Sequence, residues 1–304
     1  MNMKQLKFLL GLVGNDSEYQ RQQALEAETT AKRFGVELQI LYAQRDAITQ
    51  SQQLLNVIQA KAGSKPDALI FEPVSETGLP HVAQAAVAAG ISLCVLNLKP
   101  EYLLKLRTSS SCIVFGIGAD NVEVGRIQGR QLARLVPQGG DALLIQGPSD
   151  NVAARQRTQG IQETKPANIN LRQLKGKWTE ESGYQSVAGF LALSTSRSSN
   201  IKCIVSQNDR MAMGAKRAFT EQTAGAEQHR WLSLPFLGCD GLPKCGQAWV
   251  PVRKLTATVV VPANPPLAIE TFVDALTNGK RPPEYFLTVS ESFPDISVLK
   301  EIEH

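Results

Sequence analysis

Residues 7–42 read KFLLGLVGNDSEYQRQQALEAETTAKRFGVELQILY. Lys7 to Gly14 is an apolar run ended by glycine, the pattern of a buried strand. Ser17 to Phe34 follows as a helix, with Ala24, Ala27, Ala31 and Phe34 spaced for one face and Gly35 as its C-terminal cap. Val36 to Tyr42 starts the next strand. Strand, covering helix and second strand form the unit of a parallel sheet, whose neighbouring strands need a crossover between them.

The unit recurs along the chain. A helix is expected over Thr49 to Ala62 and a strand over Ala68 to Phe71, then a helix over Pro80 to Ala89 and a strand over Ile91 to Leu96. After an irregular piece, Lys99 to Ser111, and a strand over Cys112 to Ile117, the cycle restarts. Helices over Asn121 to Leu135, Ala153 to Glu163, Thr179 to Leu193 and Met211 to Thr220 alternate with strands over Ala142 to Gln146, Leu171 to Leu174, Cys203 to Val205 and Pro235 to Leu237. Strands rich in Ile, Leu and Val on both faces predict an α/β fold with two doubly wound parallel-sheet lobes. The tail adds only a strand over Leu255 to Val261, a helix over Pro265 to Asn278 and a strand over Phe286 to Glu291. These elements suffice to complete both lobes, so the chain is expected to cross between them more than once and form a hinge.

The 304 residues, 43% hydrophobic and 20% charged, fit a folded protein of two lobes. A formal net charge of +4, with Lys and Arg scattered, gives no footprint for nucleic acid. No apolar run reaches the ~20 residues of a membrane span, and no secretion signal is visible before the first strand. Five cysteines, without Cys-x-x-Cys spacing, read as buried or incidental thiols rather than a disulfide or zinc framework. His81, His229 and His304 stand alone, and neither a nucleophile elbow nor a phosphate loop occurs. Gly116-Ile-Gly118 lacks the third glycine of a dinucleotide loop. No enzyme, cofactor or metal site is expected.

Ligands of open parallel sheets sit beyond the carboxyl ends of the strands. Those positions hold Asn15, Asp16, Ser17, Tyr19, Gln20, Glu72 and Asn97 in the first lobe, and Asn151, Arg155, Trp178, Asn208, Asp209 and Asp240 in the second. Polar side chains with two aromatics suit a polyhydroxyl ligand: carboxylates and amides bond hydroxyls, Arg donates in a fork, and Tyr or Trp faces the C–H side of a ring. Asp16, Ser17 and Asp209 also stand where helix N-caps are expected. Asp240, after an apolar strand, needs partners in any reading.

Four segments carry a resemblance: NVAARQR at 151–157, SQNDRMAMGA at 206–215, GCDG at 238–241 and GADNVEVG at 118–125. From Lys7 to about Val289, the chain resembles the type I periplasmic sugar-binding proteins of the ribose-binding kind, whose fold also forms the ligand-binding domain of lactose-repressor-type regulators. The resemblance implies crossovers near 119–120, 261–262 and 286–287, hence lobes of 1–119 plus 262–286 and 120–261 plus 287–304. It implies that Arg155, Asn208 and Asp240 bond ligand hydroxyls and that Trp178 stacks. Tyr19 and Gln20, beside Asp16, fall where the family often has two aromatics. Asn97-Leu98 replaces a common Asp-Arg pair, and Val261 a frequent Gln, so a substituted or less polar polyol is expected.

The implied function is capture of a small sugar or polyol-like ligand by hinge closure and delivery to an ABC-type permease, by a monomer that binds no nucleic acid. The alternative is the ligand-sensing domain of a regulator or chemosensory system. A DNA-binding domain ahead of the first strand is not expected, since that strand begins by Lys7. The expected place is the periplasm with the signal removed, or the cytoplasm if the native gene lacks one.

Overall fold

The computed structural model describes residues 5–61, 63–193, 196 and 199–301; Ala62 and His304, read above, fall outside them. The chain divides into two units, Met1–Ala119 with Ala263–Thr288, and Asp120–Pro262 with Val289–His304.

In the first unit, β1 (Lys7–Leu12), β2 (Glu37–Tyr42), β3 (Ala68–Phe71), β4 (Ser92–Leu96), β5 (Val114–Ala119) and β11 (Tyr285–Thr288) form one parallel sheet in the order β11-β5-β4-β3-β1-β2. Successive side chains of β1 go to opposite faces. Phe8 and Leu10 join Ala27 and Ala31 of α1 (Glu18–Phe34) and Phe272 of α10 (Asn264–Asn278). Leu9 joins Leu54 of α2 (Ala47–Ile58), Val82 of α3 (Pro80–Ala88) and Leu103 of α4 (Tyr102–Ser109). Both faces are covered, which is why the strands read as continuous apolar runs. The tilted contacts of Phe272 with Phe8 and Phe115 tie α10 to this sheet although most of the chain lies between them.

In the second unit, β6 (Gly140–Gln146), β7 (Ile169–Lys175), β8 (Ile201–Ser206) and β9 (Phe236–Leu237) form a parallel sheet in the order β7-β6-β8-β9. One face packs on α5 (Asn121–Leu135) and α6 (Val152–Thr164), through Leu132, Leu135 and Ile161. The other packs on α7 (Glu180–Leu191), α8 (Asp209–Gln222) and α9 (Gly225–Ser233), where Trp231 stacks on Phe219 at 4.8 Å. Each such buried large apolar side chain contributes about 1.5–3 kcal/mol.

Four differences from the sequence reading have local causes. The single tail strand expected over Phe286 to Glu291 is two: β11 pairs parallel with β5, whereas β12 (Glu291–Phe293) pairs antiparallel with β10 (Thr258–Val260). Both crossovers in the tail consequently fall after Pro262 and Thr288. Within the strand expected over Leu255 to Val261, only β10 forms, with single bridges from Leu237 to Ala257 just before it and from Asp240 to its last residue, Val260. The piece called irregular contains α4, and α9 follows α8; neither has a side-chain N-cap that would announce it.

Candidate functional site

Sheet order reverses at β1 in the first unit, which has β2 on one side and β3 on the other, and at β6 in the second, between β7 and β8. Such switch points open a crevice beyond the strand ends, because the following crossovers leave in opposite directions. The polar side chains gather there.

In the first unit, Ser17 caps α1 by accepting from Gln20 N at 3.2 Å, which fixes the first helical turn beside β1. Buried Gln20 then donates through Nε2 to Glu72 Oε2 at 2.7 Å, where Glu72 follows β3 directly. Asn97, just after β4, donates through Nδ2 to Glu72 Oε1 at 2.8 Å and to the Tyr19 hydroxyl at 3.4 Å. Its Oδ1 accepts from Asn264 Nδ2 at 2.5 Å, and Asn264 Oδ1 accepts from Thr288 Oγ1 at 3.2 Å. Gln50 braces the loop from behind, donating to Glu72 O and accepting from Val74 N. One chain of amides thus holds a single carboxylate. Burial pushes the Glu72 carboxyl above its ordinary range, and the Gln20 and Asn97 hydrogen bonds pull it back.

In the second unit, Arg157 of α6 is only 8% exposed. Its guanidinium donates to Gln207 O at 2.5 Å and to Asn121 Oδ1 at 3.0 Å, and lies 3.6 Å from Asp240 Oδ1. It also stands 5.6 Å from the centroid of the Trp178 ring, a cation–π distance. Gly147, after β6, leaves room for that indole; a Cβ there would run into it. Asn208 caps α8 by accepting from Met211 N at 2.9 Å and holds Trp178 by donating to its carbonyl at 2.8 Å. Gln207 ties the β6 and β8 loops together, accepting from Gly147 N and donating to Ala154 O.

Two carboxylates meet near that arginine. Burial raises Asp240 to about 6, against the pull of Arg157. Burial raises Asp209 as well, the Asp240 charge adds to it, and hydrogen bonds from Thr258 Oγ1 and Gly241 N oppose both. Ionisation of both carboxyls is costly here because water no longer solvates them fully.

Of the residues singled out from the sequence, Tyr19, Gln20 and Asn97 come together around Glu72. Trp178, Asn208 and Asp240 come together around Arg157. Asp16 pairs with Arg45 at 2.7 Å on the exposed rim instead. Arg155 is exposed, and its guanidinium bonds the carbonyls of Ser149 and Asp150 in its own loop. Asp209 does not cap α8, as its position suggested; Asn208 does, and Asp209 turns inward to Thr258 and Gly241. Asn97, Trp178 and Asp240 all have positive φ, at 58°, 65° and 93°, so three of the seven described non-glycine residues with positive φ lie in these two clusters. Strain of that kind persists only where surrounding contacts over-determine it, and it gathers at binding sites.

Arg157 and Glu72 carry the clusters; the sequence offers Glu72 only as one of the strand-end residues and Arg157 only as part of the segment 151–157. Among the described residues no group of three or more His, Cys, Asp and Glu is placed to hold a metal ion. No helix of the described residues is long and apolar enough to cross a membrane.

Residues 9–277 match the periplasmic binding protein domain family. The chain is 28% identical over 186 residues to a putative rhizopine-binding protein of Rhizobium meliloti, covering 60% of this chain but only 57% of that relative. It is 26% identical over 236 residues to the ribose import binding protein of Escherichia coli K12, covering 77% of this chain and 71% of the relative. Among solved structures, an ABC transporter periplasmic solute binding protein of Actinobacillus succinogenes 130z with bound D-allose superimposes with a TM-score of 0.79 at 21% identity, covering 95% of this chain and 97% of that one.

Proposed function

Since this chain belongs to the periplasmic binding protein domain family, we propose that it is a solute-binding protein for a small sugar or polyol-like ligand, working with an ABC-type permease in the periplasm. The observation that carries the reading is Arg157, nearly buried yet facing both an indole ring and a strand-end carboxylate. A guanidinium fork, a carboxylate and an aromatic face are what a ring bearing hydroxyls requires. The relatives named for ribose import and for rhizopine binding support the same ligand class.

In this reading the first-unit cluster supplies further polar contacts. No bond is made or broken.

Calorimetry of the purified chain against pentoses, hexoses and cyclitols tests the proposal, with Asp240→Ala as the comparison. At least one ligand is expected to bind, and the variant to lose about 2–4 kcal/mol, because the group it bonded is left unpaired. Equal affinity of variant and parent would remove Asp240 from the site. Silence of the parent chain across the panel refutes the ligand class.

A further inference from the structure

We propose that Glu72 sets the ligand class of the first unit, selecting an amino-substituted sugar or polyol whose ammonium group sits on its carboxylate. This rests on the solute-binding reading and narrows it.

Glu72 stands at the switch point of the first sheet, half-buried, with each carboxylate oxygen accepting from a neutral amide. Neutral donors stabilise the charge without cancelling it. Among the described residues no cation forms an ion pair with Glu72. Arg45, whose charge does reach it, is bound to Asp16 at 2.7 Å. Lys99 is likewise occupied, 3.4 Å from Glu284. The strand end that follows β4 continues from Asn97 into the apolar Leu98 and brings no cation onto Glu72 either.

The amides around Glu72 are turned toward it at a cost. Gln20, 5% exposed, gives its Nε2 to Glu72 and leaves its own Oε1 buried with no partner. The reverse orientation would satisfy nothing on a carboxylate, which only accepts. Asn97 is fixed in the same sense, because Asn264 occupies its Oδ1 as donor. The cluster is therefore built around a negative acceptor. A neutral polyol seated there would strip water from that charge and return only hydroxyl donors. An ammonium has three donors, no acceptor to repel the carboxylate, and a charge of the opposite sign. It is the better complement.

The test is calorimetry at pH 7 with matched pairs: monoamino hexoses and monoamino cyclitols, their parent polyols, and their N-acetyl derivatives. The amine of at least one pair is expected to bind about tenfold or more tightly than both its parent and its uncharged N-acetyl form, the scale of one charge-assisted hydrogen bond. Glu72→Gln, checked for an unchanged melting temperature, is expected to bring the amine-to-parent affinity ratio close to one, whatever it does to the affinity for the parent itself. Tighter binding of parents, or an unchanged ratio in the variant, overturns the role of Glu72 and leaves the solute-binding reading standing. If the variant does not fold, the parent and N-acetyl comparisons on the wild-type chain decide alone. Failure of every compound to bind brings down the solute-binding reading, and this inference with it.

Discussion

Arg157→Met removes the cation that faces two buried carboxylates while keeping most of the side chain's bulk. The loss has two parts. The hydrogen bonds to Gln207 O and Asn121 Oδ1 disappear at any pH, at a cost of about 1–2 kcal/mol. The electrostatic part depends on Asp240. Its carboxyl lies at about 6 in the fold against an ordinary 3.8, so the fold holds that proton more tightly than the unfolded chain does. Stability from this group is therefore full below about 4 and is lost as the pH rises through 6. Without Arg157 the folded carboxyl rises further, and the loss continues above 6. Breaking a buried pair costs roughly 3–5 kcal/mol, but 3.6 Å is long for an ion pair and the Asp240 side chain keeps 17% exposure, so a total near 3 kcal/mol at pH 8 is the better figure. At pH 5, where Asp240 is largely protonated already, only about 1–2 kcal/mol remains. Urea unfolding followed by tryptophan emission reads this directly, since Trp178, Trp231 and Trp249 all belong to the second unit. The midpoint should fall by about 1.5 M at pH 8 and by about 0.5–1 M at pH 5. An equal fall at the two pH values refutes the electrostatic reasoning.

Two further outcomes follow from packing. Gly160 of α6 approaches α5 so closely that a Cβ would strike the Val122 carbonyl, whereas Gly189 of α7 has nothing within 4 Å. Gly160→Ala should cost about 3 kcal/mol in urea unfolding and Gly189→Ala should be neutral or slightly stabilising, so similar midpoints for the two would contradict the helix contact. Cys94, Cys203, Cys239 and Cys245 are buried, and burial holds the Cys239 thiol up at about 12; Cys112 alone is partly exposed. A thiol reagent at pH 8 should label one cysteine quickly and the other four only on unfolding, and several fast thiols would show the cores to be open.

The alternation of apolar runs with helical stretches made both parallel sheets legible, because burial on two faces writes itself into every strand. The helices that escaped, α4 and α9, begin at Glu101 and Ala224 without a side-chain cap. The tail strand was misread because one apolar run serves two sheets, with Val289 and Ser290 passing between the strands unpaired with either. Glu72 was visible as a strand-end residue, but its role depends on Gln20 and Asn97, 52 and 25 residues away, and on Leu98 not being a cation. No local pattern encodes that.

Arg157 is different, since its signal lay in plain spacing. Residues 155 and 157 sit about 200° apart around a helix, so only one can face the sheet. The buried residues of α6 are Ala154, Arg157, Gly160 and Ile161, an i, i+3, i+6, i+7 series that places Arg157 on the apolar face. Two small residues and an isoleucine in that register mark where α6 meets α5, and the close approach of Gly125 to the Arg157 carbonyl fixes the register. An arginine inside such a stripe must find a carboxylate or carbonyls in the interior, because water cannot reach it. Asp240, an acidic residue closing an apolar strand, has the converse need. The two make a pair that the 3.6-residue period of one helix and the end of one strand jointly demand, and Arg155, on the other side of that helix, remains with its own loop.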